Sequence, residues 1–149
     1  MSTRADHLTR EERTELLARA EAGAVVAIAD RVTAGAGRDA VQVTRTPQVG
    51  TVVAQVREPL SRHRFILADV LTTQAEVSLD GHLGWALRMG EDRQAALAQA
   101  ICDAEAERGG PQCAAIEDLA RRTRAHLAEA RAAEWARLVP TIVEFEEVP

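Results

Sequence analysis

Two alternating runs separated by Asp80-Gly81 constrain this chain more than any other feature. Before the turn, Leu71, Thr73, Ala75, Val77 and Leu79 share one face, opposite Thr72, Gln74, Glu76 and Ser78. After it, Leu83, Trp85, Leu87 and Met89 share a face, opposite His82, Gly84, Ala86 and Arg88. Alternation of period 2 over these lengths predicts two antiparallel strands. A two-residue Asp80-Gly81 loop sets Leu79 opposite His82 and Val77 opposite Gly84, so the two apolar rows fall on different faces. A three-residue loop, Leu79-Asp80-Gly81 with Gly81 left-handed, pairs Val77 with Leu83 and Ala75 with Trp85. A one-residue slip moves every side chain across the sheet, so parity selects the three-residue bulged hairpin. The resulting sheet is one-sided, with helices over its apolar face.

The flanking segments fill in the elements. Thr9 followed by Glu12 fits a capping box, and Leu16, Leu17 and Ala20 line the first helix. Gly23 interrupts it, and Val25, Val26, Ile28, Ala29 and Val32 predict a second helical segment ended by Gly35 and Gly37. Ala40 to Thr46 and Thr51 to Val56 read as two strands of a first hairpin, turned by Pro47 and Gly50 and stopped by Pro59. Asp92 caps a helix with Leu97, Ala100, Ile101 and Ala104 inside, ended by Gly109, Gly110 and Pro111. A long helix follows from Pro111 to Leu138, with Glu117–Arg121 and Asp118–Arg122 as i,i+4 pairs. Thr141 to Val148 alternates like a short strand. The expected fold is α+β. An antiparallel sheet of about four to five strands, two hairpins plus the C-terminal strand, is packed on one face by N-terminal, middle and long C-terminal helices.

Composition narrows the chemistry. At 149 residues, 46% hydrophobic, the chain suits one domain spanning 1–149. A net charge of −5, without a basic stripe, argues against a nucleic-acid platform. No apolar run reaches the ~20 residues that span a bilayer. The N-terminus lacks a signal-peptide core, which makes the cytoplasm the expected compartment. All 18 basic residues are Arg, so there is no Schiff-base, P-loop or pyridoxal-phosphate lysine. Cys102 and Cys113 are too few for a disulfide framework. His7, His63, His82 and His126 show no metal-ligand spacing, and no nucleophile–base motif occurs.

The ordered set Arg64, Phe65, Leu67, Asp69, Val70, Leu71, Thr73, Val77, Asp80, Gly81, Gly84, Trp85, Gly90, Asp103 and Ala104 resembles a known pattern. It is similar to the G subunit family of the bacterial carbon–phosphorus lyase machinery, which breaks down organophosphonates. The resemblance implies a subunit of a core complex with H, I and J subunits. It implies a part, with the G, H, I and L subunits together, in coupling a phosphonate to the ribose of ATP. Adenine is then displaced and a ribose 1-phosphonate 5-triphosphate forms. The I subunit is regarded as carrying the nucleosidase chemistry, and the J subunit the later radical cleavage. The resemblance supplies no catalytic residue for this chain, no cofactor bound by this chain alone, and neither a nucleic-acid nor a membrane partner.

The candidate interface or ligand contacts are Arg64, Asp69, Thr73, Gly84, Trp85 and Asp103. Asp69 falls on the Phe65-Leu67-Leu71 face, where a carboxylate must be paired, hydrogen-bonded or neutral. It meets an Arg of a partner or ligand there. Alternatively, a β-bulge near Ala68 turns it outward, or an internal Arg such as Arg45 or Arg57 pairs with it. Thr73 shares that face. His63 and Arg64 form a basic pair, suited to an anion or simply to an exposed loop. Trp85 reads as core or as a ligand platform. A second reading of the chain is a stand-alone small-anion binding domain, or an enzyme, working through Arg residues. A third is a regulatory dimer unconnected with phosphonates.

Overall fold

The computed structural model describes residues 8–143. Helices α1 (Arg10–Arg19) and α2 (Ala22–Ala36) precede strands β1 (Val41–Arg57), β2 (Arg64–Leu79) and β3 (His82–Met89). Helices α3 (Arg93–Glu107) and α4 (Cys113–Leu138) follow. The strands form one antiparallel sheet in the order β1-β2-β3. The fold is α+β as expected, but with three strands among the described residues rather than four or five.

The helix starts follow the sequence signals. Glu12 N–H donates to Thr9 Oγ1 at 3.2 Å and Thr9 N–H to Glu12 Oε2 at 2.9 Å, closing the capping box. The chain is extended at Ala20, and the Glu21 carboxylate starts α2 by accepting from Gly23 N–H and Ala24 N–H. Asp92 caps α3 through Ala95 N–H at 2.9 Å. The Asp118–Arg122 pair on α4 closes at 2.9 Å.

Helix α3 is the centre of the molecule. It lies against β2 and β3 on one side and α2 on the other. Its alanines at 95, 96, 98, 100 and 104 are buried. Small side chains let helix and sheet approach closely, and Gly84 is where they touch. A Cβ on Gly84 would sit 2.1 Å from Ala100 O and 2.7 Å from Ala104 Cβ. The first half of α4 packs through Ile116, Leu119, Ala120 and Thr123. Beyond Leu127 every residue of α4 is exposed.

Three strand expectations are corrected. The hairpin at Asp80-Gly81 has two residues, not three: Leu79 pairs with His82, Val77 with Gly84 and Ala75 with Ala86. Asp80 and Gly81 have φ of 49° and 84°, the double positive φ of a type I′ turn, which Asp-Gly favours. The row facing α3 is therefore Gly84, Ala86 and Arg88. The bulkier row of Leu83, Trp85, Leu87 and Met89 lies on the other face, so the sheet is not one-sided. Parity failed because it assumed that the larger row points inward, whereas close helix packing demands the small one.

The two expected hairpin strands, Ala40–Thr46 and Thr51–Val56, are one strand, β1, which starts at Val41 after a 3₁₀ turn that includes Ala40. Pro47 falls within an irregularity, where the register slips between Arg45↔Glu76 and Gln48↔Gln74. An edge strand tolerates the missing N–H there. At the C-terminus, Thr141 ends a 3₁₀ turn (Val139–Thr141), and Ile142 and Val143 are in no strand. The remainder of the expected last strand lies outside the described residues.

Because β3 ends opposite Thr72, the β1–β2 pair continues past it as a two-stranded arm reaching Arg57 and Arg64. Residues 58–63 cross its tip. There the Glu58 carboxylate accepts from Leu60 N–H at 2.9 Å and also from Ser61 N–H and Oγ.

Candidate functional site

The six candidate residues fall in three places. Gly84, Trp85 and Asp103 meet where α1, β3 and α3 join. Asp103 is fully buried and receives Arg10 Nη2 at 2.7 Å, Trp85 N–H at 3.2 Å and Thr14 Oγ1 at 3.4 Å. Arg13 approaches the same carboxylate at 3.5 Å and also binds Glu107. Arg10 donates in addition to Leu83 O at 2.9 Å. Its hydrogen bond to Asp103 raises the Arg10 pKa further, against the desolvation that lowers it. The Asp103–Arg10 pair thus takes up an N–H and a C=O of β3, which has no further strand beside it among the described residues. It ties α1 and α3 to that edge.

A groove of about 780 Å³ runs between α1 and the outer face of β3, lined by Arg10, Thr14, Ala18, Trp85, Leu87 and Met89. Glu11, Glu15 and Arg19 also line it. Its floor is apolar. Its two cations already face carboxylates: Arg10 meets Asp103, and Arg19 meets Glu15 at 3.1 Å. That arrangement suits an apolar side chain better than a phosphonate. Trp85 is half-exposed on this floor.

Thr73 is buried near the end of β3, where Oγ1 donates to Gly90 O at 2.7 Å. Arg64 and Asp69 lie apart from all of these, exposed on the arm. A β-bulge does occur beside Ala68, since Ala54 pairs with Ala68 but Gln55 with Ile66. Arg45 instead pairs with Glu76 at 3.1 Å, and Arg57 lies opposite Arg64. Among the described residues neither arginine is within ion-pairing distance of Asp69.

Three residues that sequence reasoning passed over organise the α1 junction. Arg88, expected on the polar side, is buried and donates to Leu17 O at 2.6 Å and Ala20 O at 2.8 Å. It satisfies the carbonyl end of α1, and burial lowers its pKa. The Asp-Gly turn was the signal for its direction, since type I′ parity points Arg88 inward. Arg10 and Arg13 carried no such signal. Burial likewise pushes the Cys102 thiol up to about 12. No cluster of three metal-ligating side chains occurs among the described residues.

Large apolar side chains are exposed on the projecting parts as well as on β3, where Met89 and Leu83 stand out. Val53 is 58% exposed, Ile66 65% and Leu67 63% on the arm, and Trp135 is 61% exposed on α4. No described helix is long and apolar enough to cross a membrane. These features define a class: a helix-backed, three-stranded α+β protein with a buried Arg–Asp junction and two projecting apolar elements. The phosphonate metabolism protein PhnG family model matches residues 8–148, and the chain belongs to that family. It is accordingly a protein of phosphonate metabolism. No curated protein matches it.

Proposed function

We propose that this chain is an accessory subunit, without catalytic residues or a cofactor of its own, of the carbon–phosphorus lyase core complex. In that assembly it is needed for coupling an alkylphosphonate to C1 of the ribose of ATP with loss of adenine. The I-type subunit is its direct partner, the H and J subunits complete the assembly, and the cytoplasm is where it works. Family membership supports the pathway. The observation that carries the subunit reading is the apolar surface on both projecting elements, with Ile66, Leu67 and Trp135 each more than half exposed. Exposed apolar side chains of this kind suit an association surface. A bare two-stranded ribbon is also only marginally stable in water, which favours a partner over the arm.

The test is co-expression of a tagged copy with the H, I and J subunits. A stable complex containing at least the I subunit is expected, with adenine release from ATP and methylphosphonate only when these partners and the L subunit are present. A monodisperse chain that ignores all three would overturn the reading. Adenine release by the chain alone, abolished by a point mutation in it, would instead favour an enzyme acting through its arginines.

A further inference from the structure

The arm has an edge that no described residue pairs with. On its β3 side the ladder ends at Leu71, whose carbonyl accepts from Gly90 N–H at 2.9 Å. Residues 64–70 of β2 continue past that point with only β1 beside them. Exposed edge strands are templates for pairing, and this one has a self-complementary charge pattern. It reads Arg64-Phe65-Ile66-Leu67-Ala68-Asp69, a cation and an anion flanking four apolar residues.

The bulge decides whether those charges can meet. Arg64 pairs with Arg57 and Asp69 with Val53. Arg57 and Val53 are four apart on β1 and share a face. Arg64 and Asp69, five apart, therefore share that face too, because Leu67 is the extra residue between them. Antiparallel pairing of two identical strands about a two-fold axis perpendicular to the sheet keeps each face on its own side. It sets Arg64 of one copy directly opposite Asp69 of the other, twice. Without the bulge these residues would lie on opposite faces and the pairs would not form.

The isolated chain leaves both charges in need of such a contact. Arg64 faces Arg57 across the ladder, a like-charge pair that is unfavourable. Among the described residues neither Arg64 nor Asp69 has an ion-pair partner. We propose that residues 64–69 of β2 pair antiparallel with the same residues of a second copy. The arms then join into one four-stranded sheet closed by two Arg64–Asp69 contacts. Edge pairing leaves both faces of the ribbon open, so the proposal goes beyond the subunit reading and does not depend on it.

Sedimentation of the full chain over a concentration series tests this. The wild type is expected to form a dimer that weakens as salt is added. Asp69→Arg or Arg64→Asp alone turns both contacts repulsive and should raise the dimer dissociation constant about tenfold. Combining the two substitutions restores opposite charges and should return the constant to near the wild-type value. The neutral variants Asp69→Asn and Arg64→Gln should fall between. A chain that is monomeric throughout overturns the proposal. So does a dimer indifferent to both single substitutions, or a double variant no tighter than the singles. Loss of the I-subunit complex with this dimer intact would count against the subunit reading alone.

Discussion

At the scale of single residues, the candidate positions separate into two energetic classes. Gly84 is fixed by the backbone of α3, so Gly84→Ala forces the helix off the sheet. A loss of about 3 kcal/mol is expected, read from the denaturant midpoint. Asp103→Ala removes the buried acceptor of Arg10, Thr14 and the Trp85 N–H and leaves Glu107 alone to pair Arg10 and Arg13, at a cost of about 3 kcal/mol in the same measurement. Asp69→Ala, on an exposed strand, should shift stability by less than about 0.5 kcal/mol. A strongly destabilised Asp69 variant would contradict the arm as described. Cys102, its thiol held protonated by burial, should resist thiol reagents at neutral pH until the chain unfolds. Rapid labelling of native protein at Cys102 would show that α3 opens.

At the scale of elements, the helix starts make stability pH-dependent. Backbone hydrogen bonds lower the pKa of Glu12 and of Glu21 below the ordinary 4.5. A carboxylate with a lowered folded pKa stabilises the fold above its ordinary value. That contribution is lost as pH falls from there through the folded value. Glu21→Ala should therefore destabilise the protein at neutral pH and flatten the acid side of its stability profile, as followed by urea midpoints at successive pH values. The arm, in contrast, is separable. Thr51 and Leu71 are cross-strand partners, so a two-residue Asn-Gly turn joining them replaces the arm without disturbing the rest. The shortened chain should fold and melt cooperatively near the parent temperature, yet lose the dimer. Failure to fold would mean that the arm supports the core.

At the scale of the whole molecule, stability is concentrated around α3. The sheet, α1, α2 and the first half of α4 close on it, while the arm and α4 beyond Leu127 project. In the isolated chain, amide exchange should be slowest in α3 and the adjoining parts of β2 and β3. It should be fastest in the projecting parts, which should gain protection on assembly. Uniform exchange across the chain would contradict this division. A compact body bearing exposed apolar extensions is consistent with the accessory-subunit role proposed above.

Local patterns determined much of this protein. The capping box at Thr9 and Glu12, the Asp92 cap, the i,i+4 pairs of α4 and the alternation of β2 depend on near neighbours in the chain, and all are read from the sequence. The family resemblance, carried largely by residues 64–104, was legible for the same reason. The inward face of β3 was signalled locally by Asp80-Gly81, but hydrophobic burial argued the other way, and the tertiary structure decided between them. The two-residue turn and the close approach of α3 required the row that puts the small Gly84 and Ala86 under the helix, against the apparent demand of hydrophobic burial. Tertiary structure also merged two expected strands into β1, because an edge position accommodates Pro47. Asp103 illustrates the difference at the site. Its motif position was visible in sequence, but its role depends on Arg10 and Arg13, which lie about ninety residues earlier. No local pattern encodes a contact over that separation; it exists only once α1 is seated along the edge of β3.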